Sequence, residues 1–196
     1  MYFGFRIWIG MPVEICYSKL DNPRSTQLSG EFMKDQIYQF LSQTPPFSEL
    51  PEKELLRVAA EMSVEIFPKD TFLSVQGKTK LESIYIIKEG ALELFYETGG
   101  EKELSGFLKP GEIFGGICIL MNAGISVRTV KVVDDATLYS LPQKVFLEIC
   151  AHHSFLYEYF AAKFRKRMSD DTYSSVAVSG QTQHFLSRLV PFSFLS

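Results

Sequence analysis

The stretch SIYIIKEGALELFYE, residues 83–97, decides the fold. Its apolar residues do not return every three or four positions. Leu92, Leu94 and Tyr96 instead fall on one side of an alternation whose other side carries Glu93 and Glu97, the two-residue period of a strand with unlike faces. Working outward, the same character recurs in VEIF (64–67), TFLSV (71–75), KELSGFL (102–108), SVRTVKVV (126–133) and ATLYSL (136–141). Turn signals divide these runs: Pro68-Lys69-Asp70, Gly77, Gly90, Gly99-Gly100, Pro110-Gly111 and Asp134-Asp135. Seven or eight short strands at this spacing leave no room for crossover helices, which implies an antiparallel barrel or sandwich.

On either side the period becomes helical. In FMKDQIYQFLSQ (32–43), Phe32, Met33, Ile37, Phe40 and Leu41 share a face, and Pro45-Pro46 ends the run. PEKELLRVAAEM (51–62) has proline at the tolerated first position and acids at the positive end of a helix. After Leu141-Pro142, Val145, Phe146, Ile149 and Cys150 fall on one side. SFLYEYFAAKFRKRM (154–168) then carries an aromatic stripe of Phe155, Tyr159, Phe160 and Phe164, which reads as core or as a dimer seam. Its Lys163, Arg165, Lys166 and Arg167 read as a solvated, basic helix end.

These shifts divide the chain into a leader and linker (1–30) expected to be poorly ordered, one domain (31–168), and a tail or truncated linker (169–196). The linker assignment rests on the polar, turn-rich DNPRSTQLSG (21–30). Organised pattern begins near Met33, which is where a native start is expected. Arg6, Pro12 and Glu14 break the apolar leader well short of the ~20 residues of a membrane helix.

At 196 residues and 46% apolar content, the chain can bury the core of one domain. A net charge of -3 gives no electrostatic reason for a nucleic-acid partner. Cys16, Cys118 and Cys150 are odd in number and widely spaced, which argues against a disulfide scaffold or zinc site and for a reducing cytoplasm. Cys150, His152 and His153 stand at offsets that do not converge on one point of a helix, so no metal is expected there. No nucleophile–base pattern or dinucleotide fingerprint is present, so the domain is not read as an enzyme and no cofactor is expected.

Two stretches together resemble one family: VQGKTKLESIYIIKEGALEL (75–94) and LKPGEIFGGICIL (108–120), the second followed by SVRTVKVVDDATLY (126–139). A turn glycine, then Ile-Tyr-Ile-Ile-x-x-Gly, then Gly-acid-x-Phe-Gly resembles the cyclic-nucleotide-binding domain of catabolite activator proteins and cAMP-dependent kinase regulatory subunits. The resemblance implies an α+β, mainly β fold: an antiparallel, jelly-roll-like β-barrel of about eight strands with helices before and after it. Gly77, Gly90 and Gly111 would sit at its tight reversals. A regulatory, signal-transducing role is implied, with a cyclic nucleotide or other small ligand in a cassette made of Phe114, Gly115, Gly116, Ile117, Cys118, Ser126, Val127 and Arg128.

In that family a Glu directly after the cassette glycine holds the ribose hydroxyl, and an Arg eleven residues after it neutralises the phosphate. Here those positions are Gly116 and Ser126. A buried phosphate facing Ser126 lacks its counter-charge, which argues against cAMP or cGMP held in the usual way. Arg128 lies two residues on. It either turns back over the cassette or pairs as an ordinary strand arginine. QFLSQTPPFSELP (39–51) resembles the opening of bacterial proteins that join this barrel to CBS and nucleotidyltransferase-like domains, which makes further regulatory domains the implied partners. The helix at 153–168 pairs subunits in many members, so a homodimer is a further implied partner. A ligand-free interaction module and a truncated transcription regulator are the alternative readings. The 28 residues after Met168 are too few for a winged DNA-binding domain.

Overall fold

A computed structural model describes residues 23–98 and 101–169. The leader to residue 22 with Cys16, the Gly99-Gly100 turn and the tail from residue 170 lie outside the described residues. Helix α1 (Pro23–Leu41) starts earlier than composition suggested: residues 23–30, assigned to a linker, are helical. Proline in a first turn gives up an N–H that has no intrahelical acceptor, so Pro23 can open a helix without breaking it. Of the expected apolar face, Ile37 and Leu41 are buried, whereas Phe32 and Met33 are exposed. A 3-10 turn (Phe47–Glu49) leads to α2 (Glu52–Glu61), capped by Pro51, with Glu52 and Glu54 in its first turn. Leu55, Val58 and Ala59 bury one face of α2.

Six strands among the described residues follow: β1 (Ser63–Phe67), β2 (Phe72–Ser74), β3 (Ser83–Thr98), β4 (Glu101–Leu108), β5 (Ile113–Phe114) and β6 (Thr129–Pro142). All pairings are antiparallel. The order is β1-β6-β3-β4, with β2 also on β6 and β5 also on β3, so the sheet has two ends and is not closed into a barrel. Helix α3 (Gly116–Met121) sits between β5 and β6; α4 (Gln143–His152) and α5 (Ser154–Ser169) follow the sheet.

The count is six rather than about eight because two expected turns are kinks inside long strands. Gly90 lies within β3, and Asp134-Asp135 within β6. The two kinks face each other: the register shifts between Glu89↔Thr137 and Ala91↔Asp134. Gly90 has φ +86, and a Cβ there would lie 2.4 Å from Asp135 O and 2.7 Å from Ala136 Cα. Both the backbone conformation and the close approach demand glycine. The bend is therefore built from a glycine on one strand and backbone on the other, and both strands continue through it.

Alternation then places the core. Ile84, Ile86, Leu92 and Leu94 of β3 join Val130, Val132, Leu138 and Leu141 of β6 in one buried cluster. Phe146 and Ile149 of α4 and Leu156, Phe160 and Phe164 of α5 close it. Arg57 of α2 bonds Glu54 at 3.0 Å and Glu148 of α4 at 3.1 Å, joining the helices that flank the sheet.

Candidate ligand-binding cassette

Strand β5 and helix α3 meet at Gly115, whose φ of +94 turns the chain from strand to helix in the left-handed region. Phe114, just before the turn, is held by β3: it pairs with Tyr85, whose ring stacks on it at 5.8 Å and 20°. Burial, ahead of the Glu65 charge, pushes the Tyr85 hydroxyl above its ordinary value. Gly116, Ile117 and Cys118 form the buried first turn of α3.

All eight cassette residues named from the sequence line one cavity: Phe114, Gly115, Gly116, Ile117, Cys118, Ser126, Val127 and Arg128. Leu94, Leu108, Ile113, Val130, Phe160 and Lys163 complete it. Its volume is about 40 Å³. A drug-sized ligand occupies a pocket of roughly 300–1,000 Å³, so the space present here holds little more than water.

The room has gone to α5. A Cβ on Gly116 would lie 2.5 Å from Phe160 Cε1, 2.9 Å from Cδ1 and 3.0 Å from Cζ. The Phe160 ring thus rests on the bare backbone where the family's Glu would project, and it is only 2% exposed. It also packs edge-on against Phe146 and Tyr159, at 5.3 Å in each case. Phe160 and Lys163 escaped the sequence reading as site residues. The aromatic stripe was the signal for the first, although spacing alone did not say which wall it covers. Lys163 was absorbed into the basic helix end; its Nζ lies 4.6 Å from the Tyr159 ring centre.

Ser126, in the same cavity lining as Phe160, is 1% exposed and turned onto backbone two residues on. Its hydroxyl donates to Arg128 O at 2.7 Å and lies 3.0 Å from Ser74 Oγ, which reaches the same carbonyl at 3.2 Å. Residues 126–128 precede β6 and form no strand, so the same-face argument from strand alternation does not apply to them. Arg128 reaches the cavity all the same. Its Nε donates to Tyr96 Oη at 2.7 Å and its guanidinium stacks over that ring, 4.6 Å from the centre. Such stacking adds about 1–2 kcal/mol when desolvated. Among the described residues no buried side-chain nitrogen or oxygen lacks a hydrogen-bond partner.

The turn glycines hold the frame around this site. Gly77 donates to Ser126 O and Gly111 to Ile87 O, each at 2.8 Å, and both have positive φ. Cys118 and Cys150 are buried, and burial pushes the Cys150 thiol up to about 12. Among the described residues no three His, Cys, Asp or Glu side chains gather as a metal site. No described helix is long and apolar enough to cross a membrane.

Residues 64–153, from β1 through α4, match the family model of the cyclic nucleotide-binding domain. That segment resembles a cyclic nucleotide-binding domain. The chain is 28% identical over 113 residues to a cGMP-dependent protein kinase, egl-4, of Caenorhabditis briggsae, covering 57% of this chain and 15% of the kinase. Among solved structures it is similar to the regulatory domain of Toxoplasma gondii protein kinase A with cAMP: 28% identity, 61% of this chain, 45% of that one, TM-score 0.56. The sensor domain of the transcriptional regulator DNR from Pseudomonas aeruginosa shares the fold at 18% identity, with 85% and 99% coverage and a TM-score of 0.61. The chain thus spans less than half the length of the Caenorhabditis kinase and of the Toxoplasma regulatory domain.

Proposed function

We propose that this domain is a self-closed regulatory module, in which α5 occupies the cassette that relatives offer to a cyclic nucleotide. The observation that carries this reading is the Phe160 ring lying on Gly116, in the space a ribose-binding Glu would need. Ser126, sealed by its bonds to Ser74 and the Arg128 carbonyl, supplies no phosphate counter-charge. Signal transmission is then a two-state problem. A ligand or partner that favours α5 lifted from the cassette shifts the population, and α5 carries the change into the chain beyond it.

The output belongs to attached or partner domains in a cytoplasmic protein; the likeness of residues 39–51 to proteins carrying CBS and nucleotidyltransferase-like domains supports this. Pairing of two copies through residues 153–168 remains compatible with it. Leu156, Phe160 and Phe164 are spent inside the domain, which leaves the half-buried Phe155 and Tyr159 for a seam. Calorimetric titration of the full chain with cAMP and with cGMP tests the closed cassette. The expected outcome is no saturable heat up to about 1 mM, corresponding to binding weaker than about -4 kcal/mol. Micromolar binding of either nucleotide overturns the reading.

A further inference from the structure

The outer face of the sheet carries apolar groups where polar ones are expected. Strands β3, β4 and β6 turn Leu92, Leu94, Leu108, Val130 and Val132 into the core, so the residues between them look outward. Residues paired across strands share a face. Phe72↔Lys131, Lys131↔Glu93 and Glu93↔Phe107 therefore form one row over β2, β6, β3 and β4. Beside that row, Leu104 pairs with Phe95. Phe72, Leu104 and Phe107 are 51%, 50% and 50% exposed, whereas the solvated face of an antiparallel sheet is ordinarily polar. Apolar side chains gathered in this way on a rigid face mark an interaction surface.

The row also fixes what fits it. From β2 to β4 it reads apolar, positive, negative, apolar. Lys131 Nζ lies 4.0 Å from Glu93 Oε1, and Lys131 and Lys102 sit over the Phe72 ring at 5.9 and 5.7 Å from its centre. A twofold axis parallel to the strands, between β6 and β3, makes this row its own complement. Lys131 then faces the partner's Glu93, Glu93 faces the partner's Lys131, and Phe72 meets the partner's Phe107. Two sheets stacked about 10 Å apart leave room for both kinds of contact. An axis running across the strands would instead set Lys131 on the partner's Lys131, and that register is repelled.

We propose that the outer face of β2, β6, β3 and β4 pairs two copies of this chain sheet to sheet, with Phe72 and Phe107 as the apolar contacts and Lys131 and Glu93 setting the register. The occupant is a second copy because the charge pattern matches itself, each cation meeting an anion on both chains. The proposal is independent of where α5 rests, and it places the contact on a different side of the domain from residues 153–168.

Sedimentation equilibrium of the full chain tests it. The expected outcome is a monomer–dimer equilibrium with a dissociation constant below about 100 μM. Phe107→Asp weakens pairing at least about tenfold, because the new acid faces the partner's Phe72. Lys131→Glu and Glu93→Lys each weaken self-association by at least about the same factor. Mixing those two variants yields a heterodimer, since every opposed pair of charges is again unlike; a role confined to one chain would not restore association. Should either reversal fail to fold, Phe107→Asp and Phe72→Ser, both at half-exposed positions, decide. A chain that stays monomeric to about 100 μM, pairing that survives Phe107→Asp, or folded reversal variants that do not associate on mixing overturns the proposal. Pairing lost in Tyr159→Asp and kept in Phe107→Asp assigns the dimer to α5 and likewise overturns it.

Discussion

Two glycines in this domain are crowded to the same degree by different neighbours. At Gly90 the obstacle to a side chain is backbone, Asp135 O and Ala136 Cα, and φ is +86. At Gly116 the obstacle is the ring of Phe160, and no positive φ is imposed. Backbone in a strand pair cannot step aside, whereas an aromatic ring on a packed helix can. The first glycine therefore belongs to a fixed frame, and the second to a seat whose occupant is movable.

The largest effect is expected where the comparison is most rigid. Gly90→Ala combines a disfavoured backbone region with a clash against the opposing strand and should cost about 4 kcal/mol, lowering Tm by roughly 8–16 °C. A loss under about 1 kcal/mol would mean that β3 and β6 flex at this kink, and the contrast with Gly116 would collapse. Phe160→Ala should cost somewhat less, about 3 kcal/mol by thermal or urea denaturation, because the ring's removal opens a cavity that α5 can partly fill.

The same variant sharpens the comparison kinetically. Cys118 lines the cassette under α5, and Cys150 lies in α4 against the core. The Cys150 thiol, pushed up to about 12, stays protonated at pH 8 and resists alkylation until global unfolding. Phe160→Ala should speed iodoacetamide labelling of Cys118, followed by site-resolved mass spectrometry, and leave Cys150 unchanged. Acceleration at both sites would mean that α4 and α5 open as one unit.

The smallest effect lies on the open face of the frame. The hydrogen bond to Lys131, ahead of its charge, holds the Asp70 carboxyl below its ordinary value, and the reciprocal bond raises Lys131. A lowered acid contributes stability above its unfolded pKa near about 4 and loses it as pH falls through the folded value; a raised lysine contributes below about 10.4 and loses it as pH rises through its folded value. Asp70→Asn should therefore leave a slightly flatter stability curve on the acid side below about pH 4. Because the pair is exposed, added salt should shrink the difference. An undiminished acid limb in the variant would assign that limb to other carboxylates.

What the sequence shows follows the same division. Strand alternation in residues 83–97 and 129–141 reveals the sheet because a buried face has to repeat every second residue. Strand number is harder to read, because Gly90 and Asp134-Asp135 carry turn chemistry yet serve as paired kinks within β3 and β6. The start of α1 is hidden for a related reason: residues 23–30 have loop composition, and helix propensity is a weak prior there. Every cassette residue read from the motif does line the cavity, since that part of the wall is local in sequence. Phe160 is 44 residues beyond Gly116 by their numbering. A contact across that distance leaves no period or spacing to read, so the occupant of the seat emerges only from the packed structure.

The most direct test of that occupancy is a double-mutant cycle on Gly116 and Phe160, read by equilibrium denaturation. With Phe160 present, Gly116→Ala should destabilise by about 1–2 kcal/mol, because the new methyl group meets the ring. In the Phe160→Ala background the same change should be neutral or stabilising by a few tenths to about 1 kcal/mol, since alanine favours the helix that begins there. A cost for Gly116→Ala that is the same in both backgrounds would show that the ring does not sit on Gly116, and would contradict the account.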